Sequence, residues 1–171
     1  TEETVDVVTK PPIHGILALL DRTEGSQGGP EHFPLGSHWL YFLPKYSQSQ
    51  IGPDGHKLRG EFLPPVTLPR RMWAGGCVRY RGKLRFGDEI KKSSSIKKIK
   101  HTSGKSGDLV FVVVNHKISC GNQVLIEEDH DIVYRSSPTS VDQSLKAKTA
   151  PQDFDWSRTI NPDPVLLFRY S

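Results

Sequence analysis

Several features common in proteins are scarce in this chain. Long apolar runs are absent: the longest, Leu109 to Val114, is far too short to cross a bilayer. Cysteine is rare, with only Cys77 and Cys120 and no CxxC spacing, so neither a disulfide framework nor a thiolate metal site is signalled. Reduced thiols in an intracellular protein are the expectation. No G-x-S-x-G, P-loop or G-x-G-x-x-G occurs, so these common enzyme signals are absent. Helix-period segments are few. Acidic residues are scarce in one region: ten lysines and arginines between Arg79 and Lys105 meet only Asp88 and Glu89. Because the sequence opens on Thr1, it leaves its native start and any targeting segment open.

What remains is 171 residues with 35% hydrophobic and 25% charged content, suited to one domain with a real core. Thr4 to Thr9 is a β-branched run and predicts a strand. Ile13, Leu17 and Leu20, with Ile16 and Leu19 widening the stripe, predict a helix. Thr9 would cap it, Pro11 and Pro12 fit its first turn, and its apolar circumference predicts burial on more than one side. Thr23 to Gly36 predicts a loop, His38 to Pro44 a core segment, and Gly52 to Gly55 a turn.

Phe62 to Gly76, FLPPVTLPRRMWAGG, predicts a stiff connector. Its prolines donate no backbone N–H, Pro69 could open one helical turn over Arg70 to Ala74, and Gly75-Gly76 would end it. It is either a surface crossover or a fixed platform presenting Arg70, Arg71 and Trp73 to an anion.

Period-two alternation then takes over. In Cys77 to Asp88, Val78, Tyr80, Leu84 and Phe86 fall on one face and the basic residues on the other. In Glu89 to Lys100, Ile90, Ser94 and Ile96 are in phase and Ile99 is not, which predicts a bulge near Lys97. His101 to Asp108 predicts a turn. Leu109 to Ile118 predicts the central strand, Gly121-Asn122 another turn, and Gln123 to Arg135 the next strand. Four successive strands predict an antiparallel meander. Ser136 to Asp155 predicts a surface linker, and PVLLFRYS at Pro164 to Ser171 a new β-like run. One helix beside a curved antiparallel sheet is α+β, in the arrangement called hot-dog.

The candidate chemistry is sparse. The basic strands could meet nucleic acid or an acidic carrier, but a solvated strand face is the commoner explanation. In EEDHD, Glu127 to Asp131, Glu128 and His130 share one strand face and Glu127, Asp129 and Asp131 the other, and no second ligand pair has zinc or calcium spacing, so no metal is expected. His14 and His38 sit in apolar segments, where a satisfied core histidine is the usual case.

Several segments together resemble one family: VDVVTKPPIHGILALLDR, HWLYFLP, GPDGHKLRGEFLPPVTLPRRMWAGG, RFGDEI, SGKSGDLVFVVVNHKI, EEDHDIVYR and DPVLLFRYS. They are similar to the N-terminal half of MaoC-like hydratases and dehydratases. Within that family they resemble the subgroup of 3-methylfumaryl-CoA (mesaconyl-CoA) hydratase, itaconyl-CoA hydratase and hydroxyacyl-thioester dehydratase type 2. The resemblance implies the N-terminal unit of a double hot-dog hydro-lyase acting on an acyl-CoA thioester without a cofactor. It implies a hot-dog unit at 1–137, a linker at 138–163, and at 164–171 the start of a second unit that holds the acid/base residues. No catalytic residue is therefore assigned here. Arg70, Arg71, Met72, Trp73 and Gly75 are expected to line or abut the acyl pocket, where a substrate with a free carboxylate would partner the arginines. The implied partners are the acyl-CoA thioester, the second unit of the same polypeptide and a homodimer mate, with no membrane and no nucleic acid. Bacterial cytoplasm is favoured, with the mitochondrial matrix as alternative. A non-catalytic binding module with a basic face is the rival reading, and a dehydratase of fatty acid synthesis is the rival within the family.

Overall fold

The structure, a computed structural model, describes residues 1–22, 33–104, 107–137, 149 and 152–170. Five antiparallel strands form one curved sheet: β1 (Glu2–Val7), β2 (Arg70–Tyr80), β3 (Glu89–Gly104), β4 (Gly107–Cys120) and β5 (Gln123–Arg135), in spatial order β1-β3-β4-β5-β2. Helix α1 (Lys10–Leu19) follows β1, and a short helix α2 (Pro164–Tyr170) closes the described chain. The α+β hot-dog arrangement read from the sequence is the fold observed.

The strand periodicity places the sheet well. β4 is central, as its apolar content requires, and Gly121, at φ +54, turns the chain into β5. The register slips between Ile96 and Lys98, where the phase change of Ile99 predicts a bulge. β3 and β4 run on to Gly104 and Gly107, so most of the expected His101–Asp108 turn is strand.

Four local expectations are corrected. Arg70 to Ala74 is not a helical turn but the first half of β2, because β5 offers a ladder from Arg135 to Ile126 that Pro69 does not interrupt. The Cys77 strand ends at Tyr80, and Arg81 and Gly82 both donate to the Leu125 carbonyl. β2 pairs β5 rather than β3, so the meander has three strands, and β2 is an outer edge. Pro164 to Tyr170 is helical and has no buried residue. The greater part of the expected Thr23–Gly36 loop and Ser136–Asp155 linker lies outside the described residues.

Helix α1 is also less enclosed than its composition suggests. Ile13 and Leu19 are buried, while His14, Ala18 and Leu20 face outward, and Thr9 precedes the helix without a side-chain cap. The helix covers only one end of the concave face. There Ile13 joins Val8, Tyr41, Phe42, Ile90, Ile118 and Ile126 in a first apolar cluster. The other end is covered by the proline-rich segment. Phe62, Leu63, Val66 and Leu68 lie on a second cluster of Val112, Val114, Ile132 and Tyr134. That segment makes little backbone ladder of its own, and Arg59 supplies what it lacks. Its guanidinium donates to the carbonyls of Val66 at 2.8 Å, Leu68 at 2.7 Å and Pro69 at 3.0 Å, and lies 4.9 Å from the Tyr134 ring centre. Arg59→Ala strands three acceptors and is expected to cost about 2 kcal/mol, read as a lower urea midpoint. Arg59→Lys should recover little, since one ammonium cannot span three carbonyls.

Candidate functional site on the concave face

Between the two apolar clusters the concave face is polar. The strand registers align Ser94 with His116, His116 with Glu128, and Val114 with His130. Lys92, Ser94, His116, Glu128 and His130 thus form a band across β3, β4 and β5, at positions in phase with the buried Ile90, Ile118, Ile126 and Ile132. On a closed core face these would be apolar; five polar groups in a row mark a place the sheet does not fill for packing alone.

The band is wired from above by the segment that precedes the proline-rich stretch. A 3-10 helix at Ser37–Leu40 brings His38 and Trp39 down onto Glu128. The Trp39 indole N–H donates to both carboxylate oxygens, at 3.2 and 3.1 Å, and His38 Nε2 lies 3.3 Å from Oε2. Tyr80 meets the His38 ring edge-on at 5.8 Å, and its hydroxyl accepts from the Gly36 N–H at 2.8 Å. The chain then turns at Phe42, whose φ of +58 is unusual for an aromatic residue. Asp6 holds that backbone by accepting from the Phe42 N–H at 2.7 Å. Tyr41 donates its hydroxyl to the Thr9 carbonyl. The core placement expected for His38 to Pro44 holds for His38, Tyr41 and Phe42, but Trp39 and Leu43 are exposed.

Electrostatics follow from this partial burial. Burial pushes the Glu128 carboxyl up, but the hydrogen bonds from His38 and Trp39 outweigh it and hold the group below its usual range. Burial lowers His116 to about 4, Glu128 opposing and Lys92, His130 and His38 assisting. Its Nδ1 lies 2.7 Å from the Ser94 hydroxyl. Burial also lowers Lys92 and His130. Near neutral pH the band therefore carries neutral imidazoles at His116 and His130 beside an ionised Glu128.

β2 closes the far side. Arg71 lies opposite Tyr134 and Trp73 opposite Ile132, on the concave face. A bulge at Ala74 resets the phase, so that Gly76 lies opposite His130. A Cβ on Gly76 would sit 2.7 Å from the Asp129 carbonyl oxygen, so no other residue fits without moving backbone. Of the five residues expected at an acyl pocket, the structure brings Arg71 and Trp73 to the concave face. Arg70, Met72 and Gly75, opposite Arg135, Val133 and Asp131, are on the convex face. Ser94 was read in phase with Ile90 and Ile96, but His116 and Lys92 were not singled out by sequence; in a strand they read as ordinary polar alternates, and the register assigns them inward.

The convex face accounts for much of the basic stretch. Arg81 pairs with Glu127 at 2.7 Å, Lys97 with Asp129 at 2.6 Å and Arg79 with Asp129 at 3.8 Å. The aromatic neighbours that base stacking needs are not beside them: Tyr80 contacts His38, and Phe86 packs on the first cluster. Among the described residues no group of three or more His, Cys, Asp or Glu side chains could hold a metal ion, and both cysteines are free. No helix among them is long and apolar enough to cross a membrane.

The fold defines a hot-dog protein. Residues 36–171 match the hydroxyacyl-thioester dehydratase type 2 family, and the chain belongs to it. Over all 171 residues the chain is 38% identical to a mesaconyl-C(4)-CoA hydratase of Chloroflexus aurantiacus, of which it spans 61%. Among solved structures, the ChsH1-ChsH2 complex from Mycobacterium tuberculosis aligns with a TM-score of 0.59 at 15% identity, covering 85% of this chain and 90% of that one. A MaoC-like dehydratase from Rhodospirillum rubrum aligns with a TM-score of 0.42 at 14% identity, over 80% and 92% of the two chains.

Proposed function

We propose that this chain is the N-terminal half of a hydro-lyase that reversibly hydrates the double bond of an enoyl-CoA thioester. The substrate of choice is a short branched dicarboxylic acyl-CoA such as 3-methylfumaryl-CoA or itaconyl-CoA. The observation that carries this reading is the 38% identity to a mesaconyl-C(4)-CoA hydratase along the whole chain. The concave face supports it. One end is filled by α1 and the other by the proline-rich segment, and a polar band with Arg71 and Trp73 at its border lies between. In this reading the acyl group lies along that band, and Arg70, Met72 and Gly75, on the convex face, stay clear of it.

The half supplies shape rather than chemistry. Glu128 is engaged by Trp39 and His38 and holds their segment down, which fits a positioning role. The acid and base come from a second hot-dog unit, joined through residues 138–163 and docked along the free edge of β2. That edge carries the exposed Trp73 and Cys77. An eleven-strand-residue edge left open invites such pairing. A homodimer of the two-unit protein in a bacterial cytoplasm completes the proposal.

The test follows enoyl absorbance with 3-methylfumaryl-CoA, itaconyl-CoA and crotonyl-CoA. The 171-residue chain is expected to be inactive, and the protein carrying its second unit to hydrate at least one of the three. Failure on all three would remove the hydratase assignment.

A further inference from the structure

We infer that Arg71 reads the free carboxylate of the acyl group, with Tyr134 and His130 as its floor and Trp73 as its wall; this rests on the hydratase reading above. The two adjacent arginines are equivalent in sequence but not in space. Arg71 lies opposite Tyr134, whose inward side chain is fully buried, whereas Arg70 lies opposite Arg135 on the convex face. Only Arg71 can reach an acyl group on the concave side.

Three observations mark this position as built for an anion. First, Arg71 is half-buried, and among the described residues no carboxylate lies within ion-pair distance of it. Arg79, on the same strand, and Arg81, just beyond its end, are paired with Asp129 and Glu127. A half-buried guanidinium without a counter-charge is unfavourable until an anion arrives. Second, the Tyr134 hydroxyl is buried and has no hydrogen-bond partner among the described residues. Buried hydroxyls rarely stay unpaired, and a carboxylate oxygen beside Arg71 is an acceptor it could serve. Third, the Arg71 charge acts on both Tyr134 and His130, which places the three in one electrostatic neighbourhood. The other nearby cation, Arg59, is spent on three backbone carbonyls. Trp73, largely exposed, closes the apolar side, with its indole nitrogen 3.9 Å from where a Gly76 side chain would begin. The arrangement suits a planar carboxylate, which a guanidinium binds through two parallel donors.

The test uses the protein carrying its second unit, with 3-methylfumaryl-CoA as the carboxylate-bearing substrate and crotonyl-CoA as the neutral one. Arg71→Met is expected to lower kcat/KM for 3-methylfumaryl-CoA about 10- to 100-fold, the loss of a charged hydrogen-bonded partner, while crotonyl-CoA turnover stays within about twofold. Arg70→Met should leave both unchanged, and Arg71→Lys should restore part of the loss. Equal losses on both substrates, or none on either, overturn the inference. If the wild type hydrates no thioester, the hydratase reading fails by itself, and calorimetry with methylsuccinate decides the carboxylate site. Binding lost in Arg71→Met and kept in Arg70→Met sustains it; no wild-type binding, or equal binding in both variants, refutes it.

Discussion

Glu128→Ala is expected to destabilise the protein by about 3 kcal/mol, more than any other single change on the concave face. Among the described residues the carboxylate is the only sheet group that hydrogen-bonds side chains of the Ser37–Leu40 turn: it accepts from Trp39 twice and contacts His38 once. Trp39 is exposed and would find water, but His38 is buried, and its Nδ1 already has no partner among the described residues. Removing Glu128 leaves both ring nitrogens of a buried imidazole without a partner. Glu128→Gln separates charge from contact. The amide can still accept from Trp39, so about half of the loss should return. Urea unfolding of the three proteins at pH 7 measures this, with equal slopes expected and shifted midpoints. A Glu128→Ala midpoint equal to wild type would mean the turn is held by Tyr41, Phe42 and Asp6 alone.

Stability is also expected to fall as the solution is acidified from about pH 6.5 toward pH 4, well above the range where carboxylates alone act. The sign follows from His116. Its folded value, about 4, lies below the unfolded 6.5. Between those values the unfolded chain binds a proton that the folded chain refuses. Stability is therefore complete above the unfolded pKa and is lost as pH drops through the window. At about 1.4 kcal/mol per unit, the interval from 6.5 to about 4 amounts to roughly 3 kcal/mol. His130, lowered in the same direction, adds to the slope. Glu128, also lowered, is a carboxylate, and its contribution is lost only at still lower pH. His116→Gln should flatten most of the slope between pH 6.5 and 4 while keeping the hydrogen-bonding site beside Ser94. Unfolding free energies at half-unit pH steps for wild type and variant check it, and an unchanged slope in the variant would contradict the burial of His116.

What the sequence made legible was whatever repeats with period two and meets its neighbour through a short turn. β3, β4 and β5 follow from Ile90, Leu109 to Val114 and Val124 to Tyr134, and even the bulge after Ile96 is visible as a slipped phase. The start of β2 was not legible, because Pro69, Gly75 and Gly76 carry turn signals and the partner that overrides them, β5, lies fifty residues on. α2 misled for a related reason: Val165, Leu166 and Leu167 are consistent with strand or helix when the run is short. The candidate site was the least visible part. Glu128 and His130 could be placed on one strand face, but nothing in a single strand says which face is concave. Lys92, His116 and His38 join them only through two registers and a turn at Phe42 held in an uncommon conformation. Arg71 was visible as a residue and not as a side of the sheet, since the bulge at Ala74 and the pairing with Tyr134 settle its direction.

The measurement that bears most directly on this account is amide and imidazole NMR of the chain titrated with methylsuccinyl-CoA, a saturated thioester that cannot be hydrated. Resonances of Arg71, Trp73, His116 and His130 should move together and saturate, while Arg79, Arg81 and Lys97 on the convex face stay still. Shifts confined to those convex cations, or none at saturating thioester, would contradict a concave acyl site.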